Sequence, residues 1–172
     1  MPLYAIEKGL GNPGLYFAVY AICLLVSRPM AGRLSDRISR RAIILPAYGL
    51  YLLGTLVLAL APNPLALLIA AMLNGLGFGA AQPALMTLAV DRVPANRRAL
   101  SIAQFQLFYD LGIGLGSMVL GALLDALHQN YSATFLIATA VAVPGLILYW
   151  SWDRRQNRSV NDGRSMISHR QF

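Results

Sequence analysis

The sequence predicts an all-α integral membrane protein with about five transmembrane helices, and two observations lead to this prediction. Only 12% of the 172 residues are charged, whereas soluble domains carry about 25%. Charged residues are absent from 9–27, 42–90 and 126–152, and 99–124 contains only Asp110. A helix needs about 20 mostly apolar residues to cross a hydrocarbon core of about 30 Å. Together these stretches are long enough for five crossings.

The limits of the spans follow from the polar turns between them. The stretch 42–90 must hold two helices, because it is far too long for one crossing at about 1.5 Å per residue. Two prolines and an asparagine at 62–64 favour a tight turn between these two helices. The predicted spans are therefore 15–31, 42–61, 64–90, 98–124 and 132–151, which together form a transmembrane domain over 15–151. Arg28 near the end of the first span can extend its guanidinium to the membrane interface.

The distribution of basic residues predicts the orientation. Twelve of the fourteen Lys and Arg residues lie between the first two spans, between the third and fourth, or after the fifth. The positive-inside rule places these segments in the cytoplasm of a multi-pass protein of the inner (plasma) membrane. Residues 1–14 are then an extracytoplasmic segment, and 152–172 a disordered cytoplasmic tail. The net charge of +7 reflects this topology, so we predict a lipid bilayer and no nucleic acid as partner.

Three segments resemble a known family. Residues 32–41 read Gly-Arg-Leu-Ser-Asp-Arg-Ile-Ser-Arg-Arg, which resembles the signature loop between the second and third helices of each six-helix half in the major facilitator superfamily. Ser39 stands where that family often has glycine. Helices ten and eleven of drug- and sugar-efflux members are similar to 82–116, and the entry to helix twelve to 131–135. The matching residues are Gln82-Pro83-Ala84, Asp91-Arg92-Val93-Pro94, Arg97-Arg98, Asp110-Leu111-Gly112-Ile113-Gly114-Leu115-Gly116 and Tyr131-Ser132-Ala133-Thr134-Phe135.

The resemblance implies a partial carboxy-terminal six-helix half of a major-facilitator fold. The five spans would be helices eight to twelve, and 1–14 the remnant of helix seven and its loop. The amino-terminal half, on the same polypeptide or a separate chain, would be a missing partner. The implied function is secondary active transport of a small-molecule substrate by alternating access, as proton-coupled efflux with the proton as second partner. The alternative is a truncated, transport-inactive remnant or a membrane interaction or regulatory fragment.

The basic motif has a functional and a structural interpretation. In the resembled family, such loops latch against the cytoplasmic helix ends of the opposite half, and their acidic residue faces a helix amino terminus, which favours a carboxylate. The structural interpretation is that the arginines only fix the topology. The candidate residues of this conformational-latch loop are Gly32, Asp36, Arg37, Arg40 and Arg41.

Asp110 is the strongest single candidate for transport chemistry. It lies near the middle of the span 98–124, where an acid is costly and is by default a functional candidate. Gln106 lies one turn earlier on the same face and can position the carboxyl group. The pair is therefore a candidate for proton coupling or substrate contact. Two alternatives stay open, namely a structural tie to a neighbouring helix and an exposed position in a wide vestibule.

Other polar side chains inside the spans are candidates for lining a cavity. Asn74, Phe78 and Gln82 recur at four-residue intervals in the third span. Tyr20 belongs to a polar stripe of the first span, and Ser117 shares the face of the acid in the fourth. The resemblance implies that these three helices line the central path. The alternative for each residue is a structural contact that holds two helices together.

Paired glycines predict close helix packing. Gly75 and Gly79 in the third span, like Gly112 and Gly116 in the fourth, have the small-xxx-small spacing that lets membrane helices approach each other.

Signatures of enzymes and cofactor sites are missing from the sequence. Its two histidines, His128 and His169, lie far apart along the chain, and Cys23 is the single cysteine. These residues do not make a metal cluster, and no serine or cysteine has a base nearby in sequence. We predict no enzymatic activity, no catalytic residue, no metal and no cofactor.

Overall fold

The computed structural model describes the backbone of residues 12–37 and 40–168, and the side chains of 12–34 and 42–151. Within these ranges the chain forms five long α-helices, each long and apolar enough to cross a membrane. They are α1 (Pro13–Arg37), α2 (Arg40–Ala59), α3 (Pro64–Val90), α4 (Arg98–Ala126) and α5 (Tyr131–Ser168). A short 3-10 helix, Ala95–Arg97, precedes α4. The predicted fold class, an all-α membrane protein of about five spans, is confirmed.

Local sequence explains the limits of α3, which begins and ends at the predicted residues. Asn63 caps its amino terminus, because its side-chain Oδ1 accepts a hydrogen bond of 2.8 Å from the backbone N–H of Ala66. Pro64 follows in the first turn, where its missing N–H costs no helical hydrogen bond. At the carboxy-terminal end of α3, the N–H of the capping residue Asp91 donates a hydrogen bond of 3.0 Å to the carbonyl of Thr87.

Two helices extend further than the predicted spans. The first begins at Pro13 and continues to Arg37, so the first part of the basic motif belongs to α1. The last helix continues to Ser168, although its apolar window ends at Ser151 as predicted. No proline or glycine interrupts 146–162, so the helical hydrogen bonds can continue beyond the membrane. The backbone over 152–168 is therefore helical, whereas the sequence predicts a disordered tail.

Glycines place α3 at the centre of the described bundle, with α1 and α2 packed against it. A Cβ added at Gly75 would lie 2.5 Å from the carbonyl oxygen of Tyr20 on α1. A Cβ added at Gly77 would lie 2.6 Å from the carbonyl oxygen of Ala47 on α2. Gly79 continues the contact with α1, because a Cβ there would collide with the hydroxyl of Ser27. Glycine is thus required at both interfaces, since the backbones themselves touch.

The buried core lies at one end of the bundle and a cavity at the other. The core forms where α1, α3 and α5 begin and α2 ends; it comprises Tyr16, Leu58, Ala61, Leu67, Ala70, Ala71 and Tyr131. Toward the basic motif, α1, α2 and α3 line a cavity of about 560 Å³. Its walls are mostly apolar and include Met30 and Leu34 of α1, Ile43 and Pro46 of α2, and Ala80 of α3.

The fourth helix packs least. None of its residues is buried, although it touches α3 and α5. Gly112 and Gly116 have no neighbouring atom within 4 Å of an added Cβ. The predicted packing role of these two glycines therefore has no counterpart within the described part of the chain.

The glycine contacts predict opposite effects for two alanine substitutions on α2. A Cβ at Gly54 would lie 2.5 Å from the side-chain oxygen of Asn74 and 2.8 Å from its backbone nitrogen. Gly54→Ala should therefore lower the free energy of unfolding by about 1–3 kcal/mol, as overpacking does. Gly49→Ala, with nothing within 4 Å, should leave it unchanged or raise it slightly. Thermal unfolding of the detergent-solubilised protein measures both, and equal effects would contradict the packing described.

Candidate functional site

A buried amide joins the three central helices. Asn74 on α3 is only 5% exposed, and its Nδ2 donates a hydrogen bond of 3.2 Å to the hydroxyl of Tyr16 on α1. The single hydroxyl proton of Thr55 on α2 is directed to the carbonyl of Tyr51 at 2.9 Å, with Asn74 Oδ1 as a second, more distant acceptor at 3.4 Å. Both ends of the Asn74 amide thus have partners on neighbouring helices. Asn74 therefore joins these helices and does not line an open cavity.

One turn further along α3, Phe78 is the centre of an aromatic cluster. Its ring centroid lies 6.5 Å from Tyr20 of α1, 6.2 Å from Tyr51 of α2 and 6.4 Å from Tyr109 of α4. The rings are tilted by 42–46° to each other, within the range of favourable aromatic contacts. Phe105 extends the cluster along α4, stacking on Tyr109 at 6.0 Å. Four helices therefore meet at one aromatic surface.

A cation borders this surface. Arg28 of α1 donates from Nη2 to Oε1 of Gln82 at 3.3 Å, and Gln82 follows Phe78 by one helical turn on α3. The sequence predicts Arg28 at the membrane interface, whereas in the structure its guanidinium bonds to Gln82 of α3, one turn from Phe78.

The acid of α4 lies beside the same cluster. Gln106 Nε2 donates a hydrogen bond of 2.9 Å to Asp110 Oδ1, and both side chains are exposed within this chain. Among the described residues, the bonding partner of Asp110 is thus on its own helix, and the structural tie to another helix is not present. Tyr109, whose ring contacts Phe78 at a centroid distance of 6.4 Å, immediately precedes Asp110 on α4. The acid therefore lies next to a member of the aromatic cluster.

The structure brings some of the predicted site residues together and separates others. Tyr20, Phe78 and Gln82 converge, with Asp110 and Gln106 beside them. Ser117 is exposed about 10 Å further along α4, and its hydroxyl donates to the Gly114 carbonyl at 2.9 Å.

The latch loop divides between two helix ends. Gly32 lies on α1 with open space around it. The side chains of Asp36, Arg37, Arg40 and Arg41 lie outside the described residues.

Sequence reasoning missed three residues of this surface, namely Arg28, Tyr51 and Tyr109. Arg28 had a usable signal, because it is a cation inside the apolar window Pro13–Leu34, and such residues are functional candidates. Tyr51 belongs to a hydroxyl stripe with Tyr48 and Thr55 on the second span. Neither this stripe nor the sequence around Tyr109 indicates Phe78 as a neighbour, because only the packing of four helices brings these rings together.

The amide contacts predict a measurable coupling between two helices. Asn74→Ala should lower the free energy of unfolding by about 1–2 kcal/mol, because the buried Tyr16 hydroxyl loses its hydrogen bond. In a double-mutant cycle with Tyr16→Phe, we expect a coupling energy of about 0.6–1.7 kcal/mol. Tyr16→Phe combined with Ser117→Ala, a distant hydroxyl, should be additive. Additivity in the Asn74 cycle would show that the hydrogen bond contributes nothing.

Comparisons with known proteins agree with this architecture. Residues 1–170 match the family model described as Major Facilitator Superfamily. An uncharacterized MFS-type transporter of Pseudomonas aeruginosa is 30% identical over 156 residues, which are 91% of this chain and 38% of that protein. A gallate transporter of Pseudomonas putida is 29% identical over 127 residues, 74% of this chain and 28% of that protein. An uncharacterized MFS-type transporter of Burkholderia mallei is 27% identical over 161 residues, 94% of this chain and 39% of that protein. The chain thus spans less than half the length of these relatives.

Proposed function

The chain belongs to the Major Facilitator Superfamily, and on this premise we propose that it is part of a secondary active transporter that couples proton movement to the efflux of small molecules. The relatives named transporters support transport in general. The observation that supports the proton coupling is the Asp110–Gln106 pair beside the aromatic surface. In the proposed mechanism, two halves rock around this surface and open it alternately to the two sides of the membrane.

The geometry of the pair suits a carboxyl group that takes up and releases a proton. Gln106 donates to Oδ1 of Asp110 and so fixes the orientation of the carboxyl group. Among the described residues, Oδ2 has no hydrogen-bond partner, which leaves that oxygen free to carry an exchangeable proton. Asp110 lies about 18 Å along α4 from Arg98, deep within the span. A negative charge at that depth has a high free-energy cost. Protonation of Asp110 would therefore lower the free-energy cost of moving α4 within the membrane as the two halves rock.

The exposure of α4 supports a second half as partner. An acid and an amide facing hydrocarbon from a membrane helix would be unfavourable, so such groups normally face protein or a water-filled cavity. The relatives are more than twice as long as this chain, which covers 38% of the first of them. We propose that an amino-terminal half, on the same polypeptide or a separate one, covers the Asp110 face of α4.

The proposed orientation places the basic motif in the cytoplasm of an inner-membrane protein, with the amino terminus outside and the carboxy terminus inside. In this orientation, the end of α1 and the start of α2 face the cytoplasm. The open space around Gly32 leaves room for a helix end of the other half. We propose that the latch contact of Asp36 and the neighbouring arginines forms at this place.

Proton coupling predicts that Asp110→Asn loses gradient-driven transport while the protein is still inserted in the membrane. The test uses inverted membrane vesicles containing the complete polypeptide, with labelled benzoate, glucose and tetraphenylphosphonium as anionic, neutral and cationic probes. Asp110→Asn should reduce proton-driven accumulation of the transported probe by at least about tenfold, because an amide cannot release a proton. Asp110→Glu should retain part of it.

The matched control for this test is Asp125→Asn, the other acid of α4, which lies at the end of the helix. This variant should transport at the rate of the unmodified protein. Normal accumulation by Asp110→Asn would contradict the coupling role, and equal losses in both variants would show that the effect is not specific to Asp110.

The proposed second half predicts the size of the natural product or the presence of a partner chain. A carboxy-terminal tag introduced in the source cell should mark, in a blot of the membrane fraction, a band at least twice the 18.6 kDa of this chain. A band at 18.6 kDa that co-purifies with a second membrane protein would support two separate chains. A band at 18.6 kDa without a partner would contradict the transporter and support an inactive remnant.

A further inference from the structure

We propose that Arg28, Gln82 and the rings of Tyr20, Phe78 and Tyr109 form a binding subsite for an aromatic monocarboxylate. Arg28 and Gln82 would hold the carboxylate, and the rings would contact the aromatic part. The inference rests on the proposed transport function, for which it names the class of substrate.

The guanidinium of Arg28 has donors to spare. It has five N–H groups, and the structure assigns one hydrogen bond, from Nη2 to Gln82 Oε1 at 3.3 Å. An amide oxygen orients the guanidinium but does not neutralise it. Among the described residues, no carboxylate forms an ion pair with Arg28, although the residue lies within the apolar window Pro13–Leu34. A cation in this position favours an anionic partner, and a planar carboxylate matches its fork of donors.

The tyrosine hydroxyls add hydrogen-bonding capacity beside the cation. The rings of Tyr20 and Tyr109 both contact Phe78, which lies one helical turn from Gln82, the hydrogen-bond partner of Arg28. The Tyr109 hydroxyl oxygen is buried and has no hydrogen-bond partner among the described residues, which is uncommon for a buried polar group. A small shift of its ring on ligand binding would let it donate to a carboxylate oxygen held by Arg28. The same ligand would then satisfy two groups that this chain leaves with unused hydrogen-bonding capacity.

The surroundings of the cation favour an aromatic ligand. Phe78 lies between Tyr20 and Tyr109, with centroid distances of 6.5 and 6.4 Å and tilts of 43° and 46°. Three rings at these angles present both faces and edges, which pair favourably with the ring of a ligand. An aliphatic acid would use the same cation but would lose these ring contacts.

The charges of the surface favour a single carboxylate. Arg28 is its cation, while Asp110 follows Tyr109 on α4 and is hydrogen-bonded to the neutral amide of Gln106. A second negative charge on the ligand would approach Asp110 without a cation to balance it, which is unfavourable in a medium of low dielectric constant. A cationic substrate would be repelled by Arg28. The subsite should therefore prefer monoanions to dianions and cations.

The test measures the binding of three probes to the purified complete protein by isothermal titration calorimetry, without any gradient. Benzoate is compared with benzamide, its neutral isostere, and with cyclohexanecarboxylate, its non-aromatic analogue. We expect benzoate to bind at least about tenfold more tightly than either, because each analogue lacks one of the two interactions.

Variants assign the two preferences to residues. Arg28→Gln should abolish the preference for benzoate over benzamide, and Arg28→Lys should keep part of it, since lysine retains the charge but not the planar fork. Phe78→Leu should reduce the preference for benzoate over cyclohexanecarboxylate. Arg33→Gln, a neighbouring cation of α1, should change neither ratio.

The outcomes separate this proposal from the proposed function. Unmodified protein that binds none of the probes, or binds benzoate and benzamide alike, overturns the subsite, and so does an Arg28→Gln variant that keeps the full preference. Specific benzoate binding without any transport would support the subsite and count against the transporter, whereas proton-driven transport without benzoate binding would do the reverse.

Discussion

The close approach of α3 to both of its neighbours is the constraint on which the rest of the described structure depends. In a bilayer, helices gain little from the hydrophobic effect when they associate, so contact between backbones and interhelical hydrogen bonds must hold them together. Gly75 and Gly79 provide this contact toward α1, and Gly77 toward α2. They fix the rotation of α3 about its axis, so that Asn74 enters the interior and Phe78 and Gln82 face the site.

This arrangement gives two superficially similar polar residues different tasks. Asn74 and Asp110 are both isolated polar groups deep within a span. Asn74 has partners on α1 and α2 at both ends of its amide, and a polar group satisfied in this way stabilises the bundle. Asp110 is oriented by Gln106 on its own helix and keeps one oxygen free. A carboxyl group with unused hydrogen-bonding capacity can exchange a proton, which is what the proposed coupling requires.

The aromatic surface connects the stable and the lightly packed parts of the chain. Tyr20, Tyr51 and Phe78 belong to the three closely packed helices, while Tyr109 belongs to α4, none of whose residues is buried. Asp110 follows Tyr109 on α4, and Arg28 bonds to Gln82, one turn along α3 from the Phe78 ring that Tyr109 contacts. If a substrate carboxylate binds Arg28, this proximity gives a direct electrostatic route from the proton site to the substrate site.

The number of membrane spans and most of their limits follow from the amino-acid sequence alone. Membrane thickness fixes the length of an uncharged helix, and turn residues such as Asn63 and Pro64 act on their immediate neighbours. The sequence also indicated that Asp110 and Gln106 share a face, since spacing along one helix is a local property. The contacts between helices, in contrast, appear only in the three-dimensional structure. Gly75 and Gly79 pack against a neighbouring helix, whereas Gly112 and Gly116 face open space. Arg28 likewise bonds to Gln82 of another helix. Local spacing shows which residues share a face, but the partner of that face depends on helices distant in sequence.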